Sequence, residues 1–193
     1  MNTFCFDVGG VIIRDNLAPD NAWNVFRELS KHYQLNPEEA FATYLRLQPS
    51  LDLGTTSLSD LCSAIGLQQE QFEQYWLSIH APDCQVIAVV EQLLSEGHQV
   101  GLATNMCRRL LDLLIGRTPV LAQTEICCSS DIGAVKPSRT FFSRAAEMIG
   151  TRKIVFIDDR QVNIDAAREF GWTVIHARDN WLAQFRLTYL SAT

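Results

Sequence analysis

Residues 3–10, TFCFDVGG, join a short β-prone apolar run to an aspartate and a pair of glycines. The apolar residues do not alternate with polar ones, which is typical of a strand that is covered on both faces of a parallel sheet. Asp7 stands near the end of this strand, and Gly9 and Gly10 permit a tight turn after it. The stretch therefore predicts the first strand of an α/β fold with a carboxylate near its carboxyl end.

Apolar runs of the same kind recur later in the chain, and helical patterns separate them. The runs are residues 99–104, 125–128, 153–158 and 172–176. Residues 83–96 and 161–170 each present apolar side chains on one face and stop before a glycine, and Ser138 can cap a further helix. This alternation predicts a Rossmann-like parallel sheet with helices on both faces.

Residues 15–82 carry helix signals without a strand signal. Asn36 precedes Pro37 in the pattern of a helix start, and Ser57 and Asp60 have the spacing of a capping box. We therefore predict an all-helical unit inserted after the first strand. The expected division is an α/β core of residues 1–14 and 83–193, with the helical unit at 15–82.

Composition limits the classes of partner. The 193 residues include 47% hydrophobic and 20% charged residues, and the net charge of −6 comes without a basic stripe, so we expect no nucleic-acid partner. The six cysteines form no C-x-x-C pair, and no apolar run approaches about 18 residues. We expect a cytoplasmic protein with no membrane partner. The sequence does not indicate an oligomeric state.

Polar residues follow four of the predicted strands. They are Asp7 after the first, Thr104 and Asn105 at the second, Lys136 in the loop after the third, and Asp158 and Asp159 at the fourth. Each motif alone is more typical of a turn or a helix cap. The carboxyl ends of parallel strands, however, meet at one crevice where ligands bind. We therefore expect these side chains to form a single site.

The expected group of side chains suits phosphoryl transfer. Clustered carboxylates raise one another's pKa unless a cation compensates. Oxygen ligands without cysteine or histidine favour Mg²⁺. Lys136 and Thr104 are suited to the remaining oxygens of a phosphate group. The prediction is a magnesium-dependent site for a small phosphorylated substrate.

Four segments carry a resemblance to a known family. They are residues 6–12 (FDVGGVI), 102–105 (LATN), 133–137 (GAVKP) and 156–160 (FIDDR), the last with Asn163. They resemble the four motifs of the haloacid dehalogenase superfamily over residues 4 to about 176, and residues 15–82 lie where that family inserts its helical cap. The sequence is most similar to the branch that holds sugar-1-phosphate phosphatases and the N-terminal phosphatase domain of soluble epoxide hydrolases.

The resemblance implies a role for the residues of each motif. Asp7 would attack phosphorus and become an aspartyl phosphate, with Lys136 as the second catalytic residue, touching Asp158. Asp7, Asp159 and the carbonyl of Gly9 would bind Mg²⁺, and Asp158 would belong to the same metal site. The implied ligands of the phosphoryl oxygens are Thr104, the Asn105 backbone and Lys136. Asn163 occupies a position where relatives often have a second acid, so it would act from outside the ligand set.

Gly9 departs from the family's pattern. Phosphatases of this family usually carry an aspartate at that position as general acid and base, and the loss of such help typically costs about 10²–10⁴ in rate. Three functions stay open. We favour a magnesium-dependent phosphatase for a small phosphorylated metabolite, with a sugar phosphate as one candidate. The alternatives are a catalytically weakened relative that binds a phospho-ligand or a protein, and a metal-free dehalogenase, which the paired Asp158 and Asp159 disfavour.

Overall fold

The computed structural model describes residues 2–14, 19–151 and 153–190, where the chain forms a five-stranded parallel sheet in the order β3-β2-β1-β4-β5. The strands are β1 Thr3–Phe6, β2 Gln99–Thr104, β3 Glu125–Cys128, β4 Ile154–Asp158 and β5 Thr173–His176. Phe4 of the central strand pairs with Val100 on one side and Val155 on the other. The strand order reverses between β1 and β4, which is the place where open α/β sheets bind ligands.

Helices surround the sheet and fill the insertion after β1. The helices of the insertion are α1 Pro19–Tyr33, α2 Pro37–Asp52, α3 Leu58–Ile65 and α4 Gln69–Ile79. Those that follow are α5 Cys84–Ser95, α6 Arg108–Arg117, α7 Ser129–Ile132, α8 Arg139–Ile149, α9 Gln161–Phe170 and α10 Trp181–Tyr189, with a short 3₁₀ helix at Pro119–Gln123. The predicted fold class, including the all-helical unit after the first strand, is confirmed.

Helix starts follow the capping signals of the sequence. The side chain of Asn36 accepts hydrogen bonds from the backbone of Glu38 and Glu39, and Ser57 and Asp60 form the predicted capping box. Ser138 caps α8 through the N–H of Phe141. These contacts satisfy backbone donors that the first helical turn leaves without partners.

The structure differs from the sequence-based prediction in one strand boundary and in two additional helices. The β-prone run of residues 3–8 forms a strand only as far as Phe6, because the chain turns sharply over Asp7 to Gly10. Helices α6 and α10 were not anticipated. Helix α6 follows Cys107, which is not a capping residue, and α10 follows Asn180, whose side chain makes no capping hydrogen bond.

Two apolar clusters cover the faces of the sheet. Phe4 and Phe6 join the residues of α5 and α10 on one face, whereas Cys5 and Phe156 join those of α8 and α9 on the other. The first cluster continues into the helical insertion, for example through Trp76 of α4. The insertion is thus packed directly against the sheet domain.

The two ends of the insertion meet beside the first strand. Ile13 forms a β-bridge with Pro82, and the N–H of Asp83 donates to the carbonyl of Ile12 at 2.8 Å. The predicted boundary after residue 14 is followed by residues 15–18, which lie outside the described residues. Residues 1 and 191–193, at the two ends of the predicted core, also lie outside them. The division into residues 1–14 with 83–193 and 15–82 stays a prediction. Among the described residues, no helix combines the length and apolar character that crossing a membrane requires.

Candidate active site

The turn after β1 brings backbone and carboxylates together at the carboxyl edge of the sheet. The N–H of Asp7 donates to the carbonyl of Ile157 at 2.8 Å, and Asp7 Oδ1 accepts from the N–H of Val8 at 2.7 Å. Gly10 has a left-handed backbone with φ of 74°, and a Cβ there would overlap the carboxylate of Asp159. Both the conformation and this close approach require glycine at position 10.

A buried ammonium group connects two of the predicted carboxylates. Lys136 Nζ lies 2.8 Å from Asp7 Oδ2 and 2.7 Å from Asp158 Oδ2, and the three side chains are 1%, 8% and 0% exposed. Charges this deep in a protein are stable only when they are paired and hydrogen-bonded. Lys136 can therefore compensate one negative charge at this edge of the sheet.

Asp158 accepts hydrogen bonds from several directions. Its Oδ1 accepts from the N–H of Arg160 at 2.8 Å, and Asn163 Nδ2 lies 3.0 Å from both carboxylate oxygens. Together with Lys136, these donors use the lone pairs of both oxygens. Asp158 is therefore better suited to hold Lys136 in place than to bind a metal ion directly.

Burial and charge set the ionisation of the three groups. Burial raises the pKa of Asp7 well above its usual value, and the lowering effect of Lys136 does not offset it. Burial also acts to raise the pKa of Asp158, but Lys136 and the hydrogen bonds from Arg160 and Asn163 outweigh it, so this pKa is lowered. Burial acts to lower the pKa of Lys136, yet the two carboxylates raise it. A second positive charge near Asp7 would favour its carboxylate form.

The carboxylates form a group with the dimensions of a cation site. Asp7, Asp158 and Asp159 each offer an oxygen, and these oxygens lie within 4.8 Å of one another. The donor set contains oxygen atoms alone, which is the preference of Mg²⁺ rather than of Zn²⁺ or copper. The residues present fit a magnesium ion held by Asp7 and Asp159.

The two predicted phosphate-binding residues lie at the end of β2. Thr104 is buried there and pairs in register with Cys128 of β3. The side chain of Asn105 holds the loop of Lys136: its Nδ2 donates to the Lys136 carbonyl at 2.9 Å, and its Oδ1 accepts from the Lys136 N–H at 2.8 Å. The amide side chain thus positions the lysine, which agrees with a ligand role confined to the backbone of Asn105.

The structure brings Asp7, Lys136, Asp158 and Asp159 together, with Thr104 and Asn105 at the same edge. Sequence reasoning missed His176, whose Nε2 donates to the carbonyl of Asp159 at 2.8 Å. The sequence feature that could have identified His176 is its position as the last residue of β5, where it pairs in register with Asp158 of β4. A polar residue at the end of a further parallel strand belongs to the same edge.

A cavity of about 110 Å³ separates this edge from the helical insertion. Gly9 and Asn105 line it from the sheet, and Tyr44, Trp76 and His80 line it from the insertion. Two of the predicted site residues, Gly9 and Asn105, therefore line a pocket that the insertion completes. The sequence offered no signal for these lining residues, because their contacts with the sheet edge are long-range.

The family model that matches this chain is that of the haloacid dehalogenase-like hydrolases, over residues 1–171. Among solved structures, a HAD-family enzyme from Bacteroides thetaiotaomicron is similar with a TM-score of 0.76 and 21% identity, covering 96% of this chain and 98% of that chain. The same enzyme in complex with magnesium and inorganic phosphate has a TM-score of 0.74 at 21% identity, covering 96% and 100%.

More distant structures have the same fold. A HAD-like family hydrolase from Porphyromonas gingivalis is 19% identical with a TM-score of 0.71, covering 99% of each chain. The L-2-haloacid dehalogenase from Xanthobacter autotrophicus, with chloropropionic acid covalently bound, is 13% identical with a TM-score of 0.63, covering 100% of this chain and 85% of that chain. At these identities the similarity describes the fold.

Proposed function

Because the chain belongs to the haloacid dehalogenase-like hydrolase family, we propose that it is a Mg²⁺-dependent phosphatase that uses Asp7 as nucleophile. The observation that carries this proposal is the buried contact of Asp7 with Lys136, beside two further carboxylates whose oxygens lie within 4.8 Å of one another. The magnesium and phosphate complex of the Bacteroides relative gives it further support. The substrate would be a small phosphorylated metabolite, with a sugar phosphate as one candidate.

Each residue of the site has a part in this proposal. Asp7 would attack phosphorus and form an aspartyl phosphate, which divides hydrolysis into two easier steps. Thr104 and the N–H of Asn105 would bind phosphoryl oxygens, and Lys136 would bind another while it keeps Asp7 in place. A magnesium ion, when bound by Asp7, Asp159 and the carbonyl of Gly9, would supply charge neutralisation.

The dehalogenase alternative is less well supported by the charges of the site. Three carboxylates lie together, and the ammonium of Lys136 can balance one of them. Such a group is suited to a cation, whereas attack on a carbon–halogen bond needs no such excess of negative charge. The other alternative, a catalytically weakened relative that binds a phospho-ligand or a protein, is based on the replacement of the usual aspartate by Gly9. A measurement of turnover decides between this alternative and an active phosphatase.

Magnesium dependence tests the proposed function. We expect the protein to release phosphate from an aryl phosphate in the presence of Mg²⁺, and at least tenfold more slowly in excess chelator. Restoring Mg²⁺ should restore the rate. A steady-state assay of phosphate release measures both effects. Equal rates with and without chelator would contradict a metal-dependent mechanism, and an absence of turnover across a panel of small phosphate esters would favour a binding protein.

The two neighbouring aspartates should differ in their effect on metal binding. We expect Asp159→Asn to weaken Mg²⁺ binding more than Asp158→Asn, because the donors around Asp158 already use its lone pairs. Isothermal titration with Mg²⁺ compares the two variants. If Asp158→Asn caused the larger loss, Asp158 would be the direct ligand and the two roles would be reversed.

A further inference from the structure

Gly9 leaves the proposed phosphatase without a carboxylate two residues after its nucleophile. We propose that His80 of the helical insertion supplies this function, as proton donor to the leaving group and then as base for water. This inference rests on the proposed function. It assigns to a residue outside the four sequence motifs the role that Gly9 cannot perform.

A short hydrogen-bonded path fixes His80 relative to Gly9. The turn after Asp7 closes on itself through Gly9, which forms a β-bridge with Ile13, and through Gly10, whose N–H donates to the Ile13 carbonyl at 2.7 Å. Ile13 in turn forms a bridge with Pro82, two residues after His80. The backbone segments that carry Gly9 and His80 are therefore held side by side.

The imidazole of His80 is prepared for proton exchange at one nitrogen. The residue is 2% exposed and stacks on Trp76 with a ring-centroid distance of 4.5 Å. His80 Nδ1 lies 2.9 Å from the carbonyl oxygen of Trp76. Because a carbonyl can only accept, Nδ1 must carry a hydrogen. Nε2 is then the atom that gains and loses a proton, as in other catalytic histidines whose second nitrogen is held by an acceptor.

His80 and Gly9 line the same cavity of about 110 Å³. Its other titratable lining groups are Tyr44, Cys107, Arg160 and Asp52, the last residue of α2. Asp52 is the rival candidate, and a loss in Asp52→Asn that is confined to the alkyl phosphate would overturn the role of His80. Arginine keeps its proton in proteins, and burial raises the pKa of the Cys107 thiol. The usual pKa of tyrosine, about 10, makes it a poor base near neutral pH. Histidine exchanges a proton in both directions near neutrality, which both halves of this reaction require.

The wall of the cavity combines apolar and polar groups. Tyr44, Leu61, Phe72 and Trp76 give it an apolar character, and Gln48 and Asn105 add polar groups.

The proposed steps balance in atoms and charge. As Asp7 bonds to phosphorus, the bond between phosphorus and the leaving oxygen breaks, and that oxygen takes its electron pair and the proton of His80 Nε2. Neutral His80 then accepts a proton from water while the water oxygen bonds to phosphorus. The bond to Asp7 breaks, inorganic phosphate forms, and the carboxylate and the protonated imidazole are restored.

Two substitutions of His80 test this role by their dependence on the leaving group. His80→Asn keeps a donor for the Trp76 carbonyl, and His80→Gln places an amide near the position of Nε2. We expect either variant to lose about 10²-fold in kcat/KM on an alkyl phosphate and little on nitrophenyl phosphate, whose leaving group needs no proton. His32→Asn, an exposed histidine of α1, serves as the matched control and should retain both activities.

The pH profile and a second substitution separate catalysis from a structural role. In the wild type, kcat/KM on the alkyl phosphate should fall with rising pH in the range where an imidazole loses its proton, and His80→Asn should lose this descending limb. Gly9→Asp should restore alkyl phosphatase activity in the His80→Asn background, because it returns a carboxylate to the position two residues after Asp7. The backbone at position 9 does not oppose the change, because Gly9 is not among the described glycines with positive φ.

The outcomes distinguish a failure of the proposed phosphatase function from a failure of the role proposed for His80. A wild-type chain without Mg²⁺-dependent turnover of nitrophenyl phosphate overturns the proposed function itself. If the wild type is active but its alkyl profile has no descending limb, the role of His80 is overturned even where a variant fails to fold. An equal loss of kcat/KM on both substrates, or no rescue by Gly9→Asp, also overturns it and leaves His80 as a packing residue.

Discussion

Asp7→Asn is expected to lower turnover of an aryl phosphate by roughly 10⁴–10⁶-fold, the range found when other covalent hydrolases lose a residue of their catalytic group. The amide is a poor nucleophile, and it cannot bind Mg²⁺ as a carboxylate does. The matched control is Asp165→Asn, because Asp165 is an exposed residue of α9 that pairs with Arg168. Its turnover should equal that of the wild type.

The same substitution should not destabilise the fold. Burial raises the pKa of Asp7, so the native state holds its proton more tightly than the unfolded chain does. The protein therefore loses stability as the pH rises from the pKa of Asp7 in the unfolded chain to its pKa in the folded protein. Asparagine does not ionise, so the variant does not lose stability in this way. Without added divalent cation, we expect Asp7→Asn to melt at or above the wild-type temperature at neutral pH. Turnover near the wild-type rate in a folded variant would rule out Asp7 as nucleophile.

Lys136→Met should have the largest effect on stability. The change leaves the carboxylate of Asp158, which is fully buried, without its ammonium partner, and it removes the same contact from the carboxyl group of Asp7. Removing one partner of a buried ion pair typically costs about 3–5 kcal/mol. We expect a decrease of that order in the free energy of unfolding at neutral pH, measured by urea titration, and a loss of phosphatase activity. Lys153→Met, at an exposed position before β4, is the control and should change little.

The pH dependence of this loss identifies its cause. Burial acts to raise the pKa of Asp158 in the wild type, but Lys136 and the neighbouring hydrogen-bond donors outweigh it, so this pKa is lowered. The contribution of the Asp158 carboxylate to stability is therefore present above the pKa of the unfolded state. It is lost as the pH falls through the pKa of the folded state. Without Lys136, this carboxylate protonates more readily, and the difference between variant and wild type should narrow in acid. The double variant Lys136→Met with Asp158→Asn should recover part of the stability without recovering activity. A difference that is constant with pH would indicate lost packing instead of lost charge compensation.

The apolar runs and the glycine-terminated helices were sufficient to predict the sheet, its parallel strands and the helical insertion. The reason is that burial on both faces imposes a local pattern on each strand, which a single segment displays. The ends of four strands likewise identified Asp7, Lys136, Asp158 and Asp159 as neighbours, because a parallel sheet aligns its carboxyl ends. Thr104 and Asn105 followed from the same argument, and the catalytic roles of all six stay predictions.

Only the tertiary structure decided how these groups share their hydrogen bonds. The sequence places two adjacent acids at the end of β4, but it does not tell which of them is suited to bind a metal ion directly. That distinction depends on Lys136, Asn163 and the backbone of Arg160, which all donate to Asp158. The tertiary structure also decided which distant segments lie side by side. His80 lies 71 positions after Gly9 in the sequence, and backbone bridges bring the two segments together. Local patterns report which face of an element is buried, whereas contacts between distant segments depend on the packing of the whole chain.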